Sequence, residues 1–428
     1  MKSLKSKAFN ALRSSEGFFK LDMVYLAKGG FWTTLRFLTG LLASIITMVA
    51  FGNLLPRETY GTYNYLLSLG ASLSFLTLSG VGIAVTRAVA RGHENIVPSA
   101  LRLQIKYNLI AVLTVLSTSV YYAYKGNMLF SLSLALLSLA YPVSEAFHLY
   151  VHVLTGKKRF DIITKITGVT TVISAITTVI TLLLTHNILI MVAVYTTISL
   201  VPNIIAYHLT TKHLDKTPPE QGQINEMRRT AFHITGAGII GVIASYIDKI
   251  ILFQIAGPAT LAVYGFALAG PERLKSLIKN WTAIALPRLA QSTLGEIRLV
   301  AYKRIGLSLI IGFALAFLYI VFAPVLFKIF LPYYLDSIRY SQILAVNLVV
   351  VPATIFIGSV FASQNMLRAT YFLSVGSQVL RIILFVTLGW IWQVWGLITA
   401  SILSSFTNAI YSIIIWEIEM RRLVKKHE

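Results

Sequence analysis

Twelve long apolar runs, separated by short polar stretches, organise the whole chain. They cover 29–51, 60–85, 106–124, 128–150, 164–184, 188–210, 231–255, 260–285, 304–325, 338–362, 370–391 and 393–416. At about 1.5 Å per helical residue, each is long enough to cross roughly 30 Å of hydrocarbon. Transmembrane strands would show alternation over segments of about ten residues, and none appears. The pattern predicts an all-α integral membrane protein with twelve transmembrane helices.

The polar punctuation orients it. Basic residues cluster in the N-terminal segment (Lys2 to Lys28), between the second and third runs (Arg87, Arg91, Arg102, Lys106), and after the fourth (Lys157, Lys158, Arg159, Lys165). They recur at Lys212, Lys216, Arg228 and Arg229, at Arg288, Arg298, Lys303 and Arg304, at Arg368, and from Arg421 to Lys426. With twelve crossings all 27 of these fall on one side, against four on the other, Arg57, Lys125, Lys328 and Arg339. The side rich in Lys and Arg is cytoplasmic, so both termini are expected inside the cell, with the protein multi-pass in the inner or plasma membrane.

Offset by 201 residues, the sequence partly repeats itself: Thr59 meets Thr260, Tyr63 meets Tyr264, Leu67 meets Leu268 and Arg87 meets Arg288. At an offset of 210, Pro142 meets Pro352. Several matches near half the chain length indicate duplication. An even number of helices per unit makes the two lobes parallel, related by an axis along the membrane normal. The expected organisation is an interfacial segment 1–28, an N-lobe 29–211, a linker 212–229 holding Pro218 and Pro219, a C-lobe 230–416 and a basic tail 417–428. Segment 1–20 reads equally as a basic helix on the membrane face or as a disordered tail. Two lobes rocking about a cleft give the geometry of alternating access.

Composition agrees. Hydrophobic residues make up 56% and charged residues 12%, about half the charged share of a soluble domain. A net charge of +21 on a soluble protein would suggest nucleic acid; here it sits in loops that set topology. With no cysteine there are no disulfides and no thiolate metal sites.

The informative residues are charges inside the apolar runs: Arg36, Lys249, Arg273, Lys275, Lys279 and Arg381, with Glu145, Asp248 and Glu272. Each costs roughly 2.5–3.5 kcal/mol at the centre of a lipid-exposed helix. Nine together would cost on the order of 22–32 kcal/mol, more than the whole stability of a typical fold. They therefore face water or one another, Lys279 being placed to snorkel. The sum, +3 (six basic less three acidic), suits an anion such as a diphosphate. The plainer reading is a set of structural ion pairs locking helices together. Arg36, Lys249, Arg273, Lys275 and Arg381 are the candidate substrate cations. Asp248, Glu272, Glu145 and His148 are candidates for coupling or gating.

In the fourth run Tyr141, Glu145, His148 and His152 follow at intervals of four, three and four, one helical stripe. Such a stripe can relay protons, ligate a metal or form a polar packing seam; spacing leaves the three open, and no metal site is assigned. No phosphate-binding loop of the G-x-x-x-x-G-K-[ST] type is present. None is needed for an anion leaving a negative-inside cell, which gains about 2.3 kcal/mol per charge per 100 mV. No cofactor is expected; proton or sodium coupling stays open.

Four segments carry a family resemblance: GGFWTTLRFLTGLLASIITMVAFGNLLPRETYGTYNYLLSLG at the start, TGKKRF after the fourth run, YIDKIILFQIAGPATLAVYGFALA at the seventh and eighth, and LPRLAQ after the eighth. They resemble Wzx-type polysaccharide flippases of the multidrug/oligosaccharidyl-lipid/polysaccharide exporter superfamily, over essentially the whole chain. The resemblance implies a MATE-like fold. It also implies translocation of undecaprenyl-diphosphate-linked glycan from inner to outer leaflet by alternating access. Asp248 with Lys249 matches a DK pair frequent in the seventh helix of such proteins. Implied partners are the lipid-linked oligosaccharide, membrane lipids and polysaccharide assembly proteins, with no nucleic acid.

Two rivals remain. A drug or metabolite antiporter of the same superfamily would favour an acidic, cation-receiving cavity. A membrane glycosyltransferase or polymerase needs a sizeable external loop with catalytic groups, whereas the external connections here are short and hold only Glu58 and Asp336 as acids. Enzyme activity is not expected.

Overall fold

The computed structural model describes residues 23–427 except 213, 215, 216, 292, 293 and 365, and no side chains at 23–28, 281–300, 367 and 423–427. The N-terminal segment expected at 1–20, the Arg288 side chain and the end of the basic tail lie outside the described residues.

Helices account for nearly all of it. The first span is Met23–Leu54. The second is broken into Arg57–Leu73 and Gly80–Ala90, bent by 59°. The third is Val97–Tyr124, and the fourth runs through Met128–Ala140, Pro142–Phe147 and Leu149–Gly156. Phe160–Leu184 and Ile188–Thr211 complete the first lobe. After the linker come Gln221–Gln291, Leu294–Phe330, the bent pair Ser337–Leu344 and Val351–Ser363, and Leu367–His427.

By length and composition alone, eight helices among the described residues qualify as spans, or ten if each bent pair is one span. Two of these are far too long for a single crossing of about 20 residues, and each contains one non-helical residue, Gly257 (φ 79°) or Gln393 (φ 49°). The chain reverses there. Tyr264 hydrogen-bonds Asp248, which sixteen residues of straight helix would hold about 24 Å away. A Cβ on Gly376 would lie 3.0 Å from the Tyr411 hydroxyl, so the second pair folds back too. Counting both as hairpins gives twelve helices in two parallel six-helix lobes.

Local chemistry sets the ends. Asn127 caps Met128–Ala140 by accepting from the Phe130 amide at 3.1 Å, and Asn187 caps Ile188–Thr211 by accepting from the Leu189 amide at 2.9 Å. The breaks need more, because backbone groups freed inside hydrocarbon must find partners within the protein. Asn108, 2% exposed, serves both N-lobe breaks. Its Oδ1 accepts from the Leu78 amide at 3.0 Å, and its Nδ2 donates to the Pro142 carbonyl at 2.6 Å.

The lobes meet most tightly at the end of the bundle opposite the basic loops. Arg57 pairs with Asp336 at 2.7 Å and lies 5.1 Å from the Tyr334 ring centroid. Asn53 donates to the Phe330 carbonyl at 2.8 Å. Below them Tyr60 stacks on Phe266 and Tyr65 on Phe253, at 4.6 and 3.9 Å between centroids. Gln254 donates to the Tyr65 hydroxyl at 2.9 Å. Gly61 permits this closure, since a Cβ there would overlap the Pro258 carbonyl. At the basic end the second and seventh spans touch where the Gly80 amide donates to Thr235 Oγ1 at 2.9 Å, and Arg91 pairs with Glu226 at 2.8 Å.

Candidate substrate cavity

Between these two contacts, at mid-height, lies a cavity of about 430 Å3. Its walls come from both lobes: Ser74 and Thr77 at the break of the second span, Tyr141 and Glu145 of the fourth, Thr235 and Tyr246 of the seventh. The break in the second span, bent by 59°, lies in this wall. A second void of about 360 Å3 lies within the N-lobe, among the fourth, fifth and sixth spans, with Thr171, Ser174, Tyr195, Ser199 and Asn203 on its walls. Tyr141 and Glu145 line both.

The stripe read in the fourth run therefore divides. The helix breaks at Tyr141 and again at His148, turning its residues to different tasks. Tyr141 receives a hydrogen bond from the Tyr195 hydroxyl at 3.3 Å and donates to the Leu67 carbonyl at 3.1 Å. His152 is packing: its ring fills the space beside Gly82, and its Nδ1 lies 3.2 Å from Thr86 Oγ1. His148 lies between them, its ring 6.3 Å from that of His152. Among the described residues no group of three or more His, Cys, Asp or Glu could hold a metal.

The candidate cations are distributed around the voids rather than in their walls. Arg36 is exposed on the first span, within electrostatic reach of His148 and Tyr150. Lys249 places its ammonium 5.8 Å from the ring centroid of Tyr246, a wall residue of the central cavity. Arg273 is half-buried, with an Nε that has no hydrogen-bond partner, and acts electrostatically on Tyr60 across the lobe boundary. Lys275 is exposed and paired with Glu272 at 3.1 Å, so these two charges largely cancel. Lys279 is exposed one turn further on.

Arg381 and Asp248 form a separate group inside the C-lobe. Asp248, 3% exposed, accepts from the Tyr264 hydroxyl at 3.1 Å through Oδ2, while its Oδ1 has no hydrogen-bond partner. Arg381 lies 5.1 Å from the Phe385 ring centroid, within electrostatic reach of Tyr264, and its Nε is also unpartnered. A tyrosine hydroxyl thus bonds a buried carboxylate within electrostatic reach of a guanidinium.

Sequence reasoning did not single out Tyr195, Thr171, Ser174, Ser199, Asn203, Tyr246 or Asn108. Hydroxyl and amide residues carry no spacing signature, and only the convergence of several spans brings them to shared space.

Comparison with known proteins accords with this architecture. A multidrug resistance MATE family transporter of the MOP superfamily, in an inward-facing conformation, superposes with a TM-score of 0.63 at 14% identity, over 90% of this chain and 96% of that one. The outward-facing conformation of a multidrug resistance MATE family transporter gives 0.60 at 13% identity, over 94% and 96%. A MOP superfamily transporter from Pyrococcus furiosus, described as having a binding pocket of reverse polarity that suggests a different function, gives 0.56 at 13%, over 92% and 96%. At such identities these likenesses establish the fold. No curated protein sequence matches the chain. The family model for "polysaccharide biosynthesis protein" matches residues 26–291. The chain accordingly belongs to the polysaccharide biosynthesis protein family and has the fold of these multi-pass transporters.

Proposed function

We propose that the protein is a flippase that carries undecaprenyl-diphosphate-linked glycan from the cytoplasmic to the outer leaflet by alternating access. The observation that carries this reading is the central cavity of about 430 Å3, walled by both lobes and closed towards the Arg57 end by an ion pair and stacked aromatics. With the basic loops cytoplasmic, alternating access opens the Gly80–Thr235 contact to admit substrate and the Arg57 seal to release it. Arg36, Lys249 and Arg273 flank the route and attract the diphosphate, and Arg381 belongs to the C-lobe group that moves with it. Family membership supports a saccharide cargo.

The expected outcome is that Arg36→Ala and Arg273→Ala each reduce lipid-linked glycan at the outer surface about tenfold or more while protein levels stay intact. One lost charge-assisted hydrogen bond, worth about 1.5–3 kcal/mol, supports that size. Wild-type export from both variants would overturn the anionic-substrate mechanism.

One observation favours a second reading. Apart from tyrosines, Glu145 is the only ionisable residue on the walls of either cavity among the described residues, as an exporter of organic cations would want. Efflux of a cationic dye that depends on Glu145 but not on Arg36 or Arg273 would favour that antiporter.

A further inference from the structure

Neither void has a lysine or arginine among its described walls, but Lys249 stands beside the central one, 5.8 Å from the Tyr246 ring centroid. The 360 Å3 space inside the N-lobe is lined by hydroxyls of Thr171, Ser174, Tyr195 and Ser199, the amide of Asn203 and the carboxylate of Glu145, with no lysine or arginine among its described walls. Its volume falls in the range of about 300–1,000 Å3 usual for small-molecule sites. A diphosphate finds no cation in its walls. A sugar finds what it needs: a carboxylate that accepts charge-assisted bonds from paired hydroxyls, neutral groups that both donate and accept, and tyrosine rings against which its less polar face can lie.

We propose that this N-lobe void binds the leading sugar residues of the lipid-linked glycan, while the diphosphate remains outside it, beside Arg36 and the central cavity. The inference deepens the flippase reading and rests on it. Continuity supports it, because Tyr141 and Glu145 line both voids and the glycan passes from the cleft into the lobe along them. Tyr195 spends its proton on Tyr141, so its oxygen is left to accept. Asn203 Nδ2 is occupied by Ser144 Oγ at 2.7 Å and the Ser199 carbonyl at 2.9 Å; that holds the amide still and directs its oxygen to the sugar. Thr171 and Ser174 stand on the fifth span, which Thr164 ties to the first through the Trp32 carbonyl at 2.9 Å. The sugar wall is thereby linked to the helix that carries Arg36.

The test uses the purified full chain in lipid nanodiscs and two probes, undecaprenyl diphosphate and undecaprenyl diphosphate bearing one N-acetylglucosamine, with binding read by native mass spectrometry. The sugar-bearing lipid should bind about tenfold more tightly than the bare one, the yield of two or so net hydrogen bonds. The double substitution Thr171→Val with Ser174→Ala should bring the ratio to about one. Thr171→Val alone, nearly isosteric and therefore safe for folding, should bring it to about three. Equal binding of both lipids by the unmodified protein overturns the sugar site and leaves the flippase reading standing. Failure to bind either lipid overturns both. A ratio that ignores the threonine and serine changes, together with transport whose pH dependence disappears in Glu145→Gln, would make the void a proton site and also overturns the proposal.

Discussion

The fourth and tenth spans show what duplication kept and what it released. Both break at a proline, Pro142 and Pro352, which starts a new helical segment in each lobe. The residues after the break differ completely. At an offset of 210, Tyr141, Glu145 and His148 meet Val351, Ile355 and Gly358. In the N-lobe the break opens onto two polar voids. In the C-lobe Ala353, Ile357, Val360 and Phe361 pack into a dry core with Trp416. The C-lobe keeps its charges elsewhere, around Asp248, Tyr264 and Arg381. The backbone break was conserved as architecture, and only one copy was turned to making polar space.

The largest effect should come from the residue that makes the N-lobe break tolerable. Asn108→Leu leaves the Leu78 amide and the Pro142 carbonyl without partners. At about 1–3 kcal/mol for each orphaned group, the loss is about 2–6 kcal/mol, read as a lowered unfolding midpoint in detergent. Asn347→Leu in the other lobe removes the contact of Asn347 Nδ2 with Ser401 Oγ at 3.0 Å and should cost only about 1 kcal/mol.

Exchanging the two lobes' chemistry sharpens the contrast. Ile357→Glu places a carboxylate in the core cluster that holds Phe361 and Trp416 and should cost about 2.5–3.5 kcal/mol. Glu145→Ile, facing a void, should change stability by less than about 1 kcal/mol yet reduce export. Equal destabilisation by the two exchanges would erase the difference drawn here. The smallest effect belongs to the seal. Arg57 and Asp336 are 41% and 47% exposed, so Arg57→Ala should cost no more than about 1 kcal/mol. The change should appear as increased access of water-soluble reagents from the Arg57 end.

Much of the fold was legible in the sequence because lipid imposes severe rules. Twelve apolar runs and one-sided basic loops leave few alternatives, and the structure adds the breaks within the second, fourth and tenth spans. The candidate site was legible in part. Intramembrane charges stand out, since each is costly, and Glu145 does lie at the junction of both voids. What the spacing could not convey was the break at Tyr141 and Pro142, which sends Glu145 to the cavity and His152 into packing against Gly82. Nor could it identify Thr171, Ser174 or Asn203, ordinary residues whose role depends on three helices converging.

The central claim is a water-filled passage between the lobes that the lipid-linked glycan occupies. The chain has no cysteine, so Ser245→Cys, on the wall of the central cavity, reports on it alone. A membrane-impermeant thiol reagent applied from the cytoplasmic side should label this position, and saturating undecaprenyl-diphosphate-linked glycan should slow the labelling several-fold. A thiol that reacts from neither side of the membrane, or reacts at the same rate with the glycan present, would contradict the account.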